Sequence, residues 1–257
     1  MLEFIDTHSH LYDDDFTPDF DQVIKRAQSA GVIKCIMPGI DISNHNKMMS
    51  CTNRLKNFAF PCIGLHPTSV GENWEDELDF VKENIINGKF YAVGEIGIDE
   101  YWSKEFISQQ KEVFKQQIIL AEKYDLPIII HSREATEDIF DVLEKLKEKN
   151  IKGVFHAYSG SYETYERIKK YGDFKIGIGG VVTYKNAGIA SVLKKIPLEE
   201  IVLETDSPWL TPVPYRGKRN ESSYICIIAE KIAQIKEIPI DKVSITTTLT
   251  AKKLFNI

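Results

Sequence analysis

Cysteine is scarce. The four in 257 residues, Cys35, Cys51, Cys62 and Cys226, form no C-x-x-C pair and no evenly spaced framework, so they read as buried thiols in a reducing cytosol, not as a disulfide scaffold. Long hydrophobic runs are also missing. None reaches the ~18 residues of a membrane span, and the opening MLEFIDTHSH has no basic start followed by an apolar stretch, so no signal peptide is expected. There is no low-complexity segment, linker or close internal repeat. Positive charge is not in excess: 32 Lys and Arg face 38 Asp and Glu, a net charge of −6. Such a chain is a poor generic polyanion binder, and any nucleic-acid role needs a local basic patch or a metal site. The glycine-rich pieces at Gly64, 94–97 and 177–180 make no G-x-G-x-x-G turn opening a helix, which disfavours a dinucleotide fold. A cytoplasmic, soluble protein is the expectation.

What is present is an alternation. Short apolar runs at residues 2–6, 32–37, 58–65, 90–96, 126–130, 153–155, 174–178 and 200–203 are separated by amphipathic stretches such as 19–30, 75–87, 108–124, 134–149, 162–170, 188–195 and 221–236. A short helical tail follows to Leu254. Near-continuous apolar strands such as Pro127-Ile-Ile-Ile130 imply burial on both faces, and helical crossovers between them imply parallel pairing. With 43% hydrophobic and 27% charged residues, the chain 1–257 reads as one α/β domain, a (β/α)8 TIM barrel. Periodicity alone leaves an open doubly wound sheet as the alternative.

In a parallel barrel the chemistry sits at the C-terminal strand ends. His8 and His10 follow strand one, His66 strand three, His131 strand five and His156 strand six, while Glu95 and Asp206 occupy the ends of strands four and eight. Only His45 falls inside a helical stretch. In His8-Ser9-His10 the imidazoles are two residues apart, so an extended backbone points both to one side. Converging imidazoles and carboxylates suit a divalent transition metal, and a nitrogen-rich set favours zinc, manganese or iron over magnesium.

The ordered motifs F-I-D-T-H-S-H-L, G-L-H-P, G-E-I-G-I-D, P-I-I-I-H-S-R, H-A-Y-S-G, E-T-D-S-P and R-G-K-R-N-E resemble those of TatD-type metal-dependent deoxyribonucleases, within the amidohydrolase superfamily. The resemblance runs from Phe4 to about Phe255. It implies two divalent metal ions (Zn, Mn or Mg), one held by His8, His10, Glu95 and Asp206, the other by Glu95, His131 and His156, with Glu95 bridging. Three positions depart from the family pattern without removing a ligand: Ala157 for cysteine, Ser222 for proline and Glu100 for an aromatic residue.

The expected activity is phosphodiester hydrolysis by metal-activated water, as an exonuclease on single-stranded or frayed DNA ends. Asp206 is the candidate to order and deprotonate the water, Glu95 to set the metal–metal distance, and His66 to donate to substrate or to make a structural hydrogen bond. Arg133 could fork onto a phosphate. Arg216, Lys218 and Arg219 lie in the loop after strand eight, either as a phosphate site or as a solvated loop. Trp74, Tyr101, Trp102, Tyr158, Trp209 and Tyr215 either pack loops over the barrel mouth or stack on bases. The alternative activity is hydrolysis of a small cyclic amide or ester, as in related amidohydrolase barrels. Many of those bridge their metals with a carbamylated lysine, where Glu95 stands here. A metal-stabilised scaffold is the non-enzymatic alternative. No obligatory protein partner is evident.

Overall fold

The computed structural model describes residues 2–257. Eight parallel strands alternate with helices. β1 (Phe4–Asp6), β2 (Val32–Met37) and β3 (Ala59–Pro61) form one ladder, in that order. β4 (Val93–Asp99), β5 (Ile128–Arg133), β6 (Lys152–Phe155), β7 (Asp173–Ile178) and β8 (Ile201–Leu203) form the other. Backbone hydrogen bonds join the two ladders at both seams. Thr7 N–H donates to Leu203 O (3.0 Å) beside a parallel Ser9–Ser207 bridge, while Ile63 N–H donates to Ala92 O (3.1 Å) and Gly94 N–H to Ile63 O (2.8 Å). The buried Asp6 carboxylate adds a stitch at the first seam, accepting from Thr205 N–H (2.9 Å) and Thr205 Oγ1 (2.6 Å). The α/β TIM barrel read from the sequence is the observed fold.

The outer helices are α1 (Phe20–Ser29), α2 (Ile42–Arg54), α3 (Trp74–Asn87), α4 (Ile107–Lys123), α5 (Thr136–Glu144), α6 (Tyr162–Ile168), α7 (Ile189–Leu193) and α8 (Ile225–Lys236). Their apolar stripes follow from helical spacing. In α8 the buried Ile225, Ile228, Ala229 and Ile232 stand at i, i+3, i+4 and i+7. Asp41 and Ser161 cap α2 and α6, accepting from Asn44 N–H and Thr164 N–H.

Alternation along the strands separates two apolar clusters. Ile128 and Ile130 of β5 pack outward against the helices, whereas Ile129 joins Ile5, Ile36, Phe60, Val154 and Val202 inside the barrel. Both faces of this strand are therefore buried, as the Ile-Ile-Ile run demands. The tail expected to be short is a 16-residue helix, α9 (Ile240–Phe255). Its Ala251, Leu254 and Phe255 enter the same interior cluster and floor the barrel. Ser244 and Thr248 hydroxyls tie α9 to the Glu3 carbonyl (2.7 and 2.8 Å).

Truncating this floor opens a cavity that rigid strands cannot collapse to fill. Phe255→Ala is expected to lower unfolding free energy by about 3–5 kcal/mol in urea denaturation. A loss below about 1 kcal/mol would contradict the plug role.

Candidate metal centre

Strand alternation also places the polar ends. His131 stands two residues beyond the inward Ile129, and His156 two beyond the inward Val154, so both continue the interior layer at the C-terminal rim. β4 runs three residues further than the sequence suggested, to Asp99, because Gly97 adopts φ 148°. That left-handed backbone is open to glycine, and a Cβ there would strike the His131 carbonyl. Asp206 turns the chain out of β8 at φ 56°, a conformation that aspartate tolerates better than most residues. Its N–H donates to His8 O at 2.9 Å.

The six side chains singled out as ligands meet here. His8 and His10 present Nε2 atoms 3.1 Å apart. His8 Nε2 lies 3.0 Å from Glu95 Oε2 and 3.6 Å from Asp206 Oδ1, and His10 Nε2 lies 3.7 Å from Asp206 Oδ1. On the other side Glu95 Oε1 is 2.8 Å from His131 Nδ1 and 3.9 Å from His156 Nε2. The Asp206 carboxylate also faces His156 Nε2 at 3.7 Å.

Outer hydrogen bonds orient the rings. The Tyr12 hydroxyl donates to Pro38 O (2.5 Å), so its oxygen accepts from His10 Nδ1–H (2.9 Å) and leaves the His10 Nε2 lone pair facing inward. Asp99 faces His131 Nε2 at 2.8 Å, directing Nδ1 into the site. His66 differs. Its Nδ1 accepts from Thr68 N–H (3.1 Å), so in the neutral ring the proton is on Nε2, 3.3 Å from His131 Nδ1 and 3.4 Å from Glu95 Oε1. The ring is thus poised to donate rather than to ligate.

The residues fit a divalent cation. Donors held ~2.1 Å from one ion are separated by roughly 3–3.5 Å, and the nitrogen atoms around the Glu95 carboxylate stand 2.8–3.9 Å from it. Two buried imidazole nitrogens at 3.1 Å with inward lone pairs also need a cation or a proton between them.

The electrostatics agree. Burial pushes Glu95 up, but the imidazoles of His8, His66 and His156 outweigh it and hold the carboxylate well below its usual range. Asp206 is likewise lowered: burial opposes, and His156 and His10 prevail. Burial lowers His8, helped by the nearby His156 charge. His131 rises to about 9, desolvation being overcome by Asp99 and Glu95. His156 is raised well above 6.5 against its desolvation, by Glu204, Asp206 and Glu95.

The centre floors an open cavity of about 630 Å³ with Arg133, Trp102, Trp209 and Leu210 on its walls. The Arg133 guanidinium lies 3.8 Å from the Tyr101 ring centroid and 5.2 Å from that of Trp102. Trp102 and Trp209 are 68% and 47% exposed, whereas Tyr158 is buried and Trp74 half-buried. The aromatic set therefore divides into loop packing and an open rim. The structure does not bring Arg216, Lys218 and Arg219 to the cavity wall. Arg219 is committed elsewhere, to Asp19 (2.8 Å) and the Asp15 carbonyl (2.5 Å), over the Phe16 ring. Arg216 lies over Tyr184 and Lys218 near Tyr215. Asn220 explains the placement: its amide donates to Thr205 O (2.7 Å) and Trp209 O (2.6 Å), fastening both ends of the loop.

Sequence reasoning missed Asp99, Glu204 and Tyr12. Glu204 stands two residues beyond the inward Val202, in the phase that places His131 and His156, so the alternation was its signal. Asp99 lies three residues beyond the apolar run at 90–96, past Gly97.

Residues 5–256 match the family described as TatD related DNase. The chain belongs to that family. It is 39% identical over 253 residues to the uncharacterized metal-dependent hydrolase YabD of Bacillus subtilis, covering 98% of each chain. It is 33% identical to the uncharacterized metal-dependent hydrolase BU355 of Buchnera aphidicola, over 98% of this chain and 99% of the relative. Among solved structures it is similar to YjjV, a TatD homologue of Escherichia coli K12, with TM-score 0.88 and 29% identity over 99% and 98% of the two chains. A TatD family hydrolase of Entamoeba histolytica matches with TM-score 0.84 and 26% identity over 99% and 98%. Like these family members, the protein is a metal-dependent hydrolase. Among the described residues no helix is long and apolar enough to cross a membrane.

At pH 7 the metal-free centre holds protons on His131 and His156, which a cation must displace. The raised His131 value puts its share of this competition below about pH 9, fading as pH rises through that value. Mn²⁺ titration of metal-free protein, in buffers of different ionisation heat, is expected to show proton release at pH 7 that shrinks toward pH 9, with affinity rising in parallel. Affinity and proton release that are flat across this range would contradict the assignment.

Proposed function

We propose that this protein hydrolyses phosphodiester bonds at single-stranded or frayed DNA ends, using two divalent ions that share Glu95. The observation that carries the reading is the division of that carboxylate. Oε2 faces His8 at 3.0 Å and Oε1 faces His131 at 2.8 Å, so two donor sets adjoin across one residue. His8, His10, Glu95 and Asp206 would hold one ion, and Glu95, His131 and His156 the other. The nitrogen-rich donors favour zinc or manganese over magnesium. When bound, such ions neutralise charge on phosphoryl oxygens and make water nucleophilic at neutral pH.

The chain's own residues supply the rest. Asp206, deprotonated among imidazoles, is placed to accept the proton of the attacking water. His66 Nε2–H points toward Glu95 Oε1 from 3.4 Å and can donate to a phosphate oxygen beside it. Arg133, braced by Tyr101 and Trp102, can present its free edge to a second phosphate oxygen. Exposed Trp102 and Trp209 offer faces on which bases stack, at ~1–3 kcal/mol each and without sequence preference. The cavity, about 630 Å³, lies in the range that encloses a compact ligand. That size suits a strand end and not an intact duplex.

The test is a time course on end-labelled single-stranded and duplex oligonucleotides with Mn²⁺, Zn²⁺ or Mg²⁺. Shortening from an end is expected, faster on single strands. Glu95→Ala and Asp206→Asn should each lower kcat at least about 100-fold, and Trp102→Ala should raise KM about tenfold. Intact oligonucleotides under all three metals, with ring opening of a dihydropyrimidine, would replace this reading by a cyclic-amide hydrolase.

A further inference from the structure

Glu204 ends the apolar run of β8 and is 1% exposed, deep beneath the ring pair His8 and His156. Those rings stack with centroids 3.5 Å apart and planes at 19°. Glu204 Oε1 accepts Ala157 N–H at 2.6 Å and lies 3.1 Å from His156 Nδ1. Its other oxygen, Oε2, has no protein hydrogen-bond partner, and neither have His8 Nδ1 and His156 Nδ1, the last lying close to Oε1 but out of line for a hydrogen bond. A buried carboxylate without compensation costs several kcal/mol, so a residue kept here for packing alone would be an apolar one.

The surroundings are shaped to hold it. Ala157 sits at φ 46°, a left-handed backbone that costs a β-carbon residue free energy and aims its N–H at Glu204. Across the strand, a Cβ on Gly177 would collide with the Glu204 carboxylate. Glycine at 177 is therefore the condition for a glutamate at 204. Neither feature serves the barrel's apolar core.

We infer that Glu204 is the positioning residue for His156: from 3.1 Å away a small turn of the ring brings Nδ1–H onto the carboxylate, which fixes the Nε2 lone pair on the metal centre and supplies the counter-charge beneath the stacked His8–His156 pair. The two sides of the centre then use mirror arrangements. Asp99 engages His131 at Nε2 and exposes Nδ1, whereas Glu204 engages His156 at Nδ1 and exposes Nε2. A carboxylate behind a ligating imidazole raises its basicity and holds its tautomer, and its loss typically weakens metal binding about 10–100-fold. This inference rests on the proposed metal centre but not on the identity of the substrate.

The experiment reads metal binding without nucleic acid. Calorimetric Zn²⁺ titration of metal-free Glu204→Gln, which keeps the shape and removes the charge, is expected to show about tenfold weaker binding. Gly177→Ala, which leaves the carboxylate but displaces it, should shift affinity in the same direction, while metal-free urea stability of Glu204→Gln stays near wild type. In Zn²⁺-loaded, ¹⁵N-labelled wild type, long-range imidazole spectra should show His156 protonated at Nδ1, a readout that requires no variant. Wild-type affinity in both variants, or a His156 protonated at Nε2, would overturn the role. A wild type that binds Zn²⁺ as described yet cuts no DNA would sink the substrate reading and leave this one standing.

Discussion

One buried carboxylate organises the rim. Glu95 is 3% exposed, and His8, His66, His131 and His156 all face it. Taking an anion out of water is unfavourable unless opposite charge or hydrogen bonds meet it, and here the compensation comes from the end of β5 and from the loops that follow β1, β3 and β6. None is adjacent in sequence to Glu95. The barrel is what brings them there, because parallel closure points every strand's C-terminal end to one side. The same crowding that holds Glu95 ionised raises His131 and His156, so without a metal the centre keeps its balance with protons. With a metal, the cation takes over that balance. Proton and metal are thus alternative solutions to one electrostatic problem.

The apolar half of the molecule makes this tolerable. The interior layer of Ile5, Ile36, Phe60, Ile129, Val154 and Val202 is closed below by Leu254 and Phe255, and the centre opens on the cavity at the mouth. Attraction between charges strengthens as water is excluded, and the apolar floor strengthens the imidazole–carboxylate contacts above it. The α9 plug is therefore part of the site's electrostatics as well as of the fold's stability. It is also the element whose extent sequence reading underestimated. Its Ser244, Thr247 and Thr248 look solvent-facing by type, yet they are buried, and their hydroxyls find carbonyl partners on Glu3 and Val243.

Legibility followed periodicity. Where a strand alternates cleanly, the sequence pointed to the right end: Ile129 with His131, Val154 with His156. The H-x-H pair of β1 converged as an extended backbone requires. Reading failed where backbone geometry departs from the regular pattern. The apolar run at 90–96 stops short of Gly97, but the left-handed Gly97 lets β4 continue to Asp99, a residue that orients His131. Glu204 is in phase too, but two carboxylates, Glu204 and Asp206, follow β8, and the sequence does not show which of them faces the centre and which lies beneath it. The basic loop shows the converse error. Arg216, Lys218 and Arg219 are close in sequence to Asp206, but charge in a sequence does not reveal its partner, and Asp19 already holds Arg219.

An acidic chain with few rim cations raises the question of what attracts a polyanion to it. Among the described residues Arg133 is the one Lys or Arg on the cavity wall, and two tryptophans give stacking but no charge. The remaining positive potential must reside in the centre itself, as protonated imidazoles or as divalent ions. Affinity for a phosphodiester would then be concentrated at one point instead of spread along a groove. A spread array of lysines binds duplex backbones anywhere and loses affinity steeply with salt. On the proposed reading, a single deep focus of charge, reached through a mouth rimmed with exposed aromatics, would select a phosphate whose neighbouring bases are free to stack. Ends and frayed strands meet that condition, while a base-paired interior, with its bases already stacked on one another, does not.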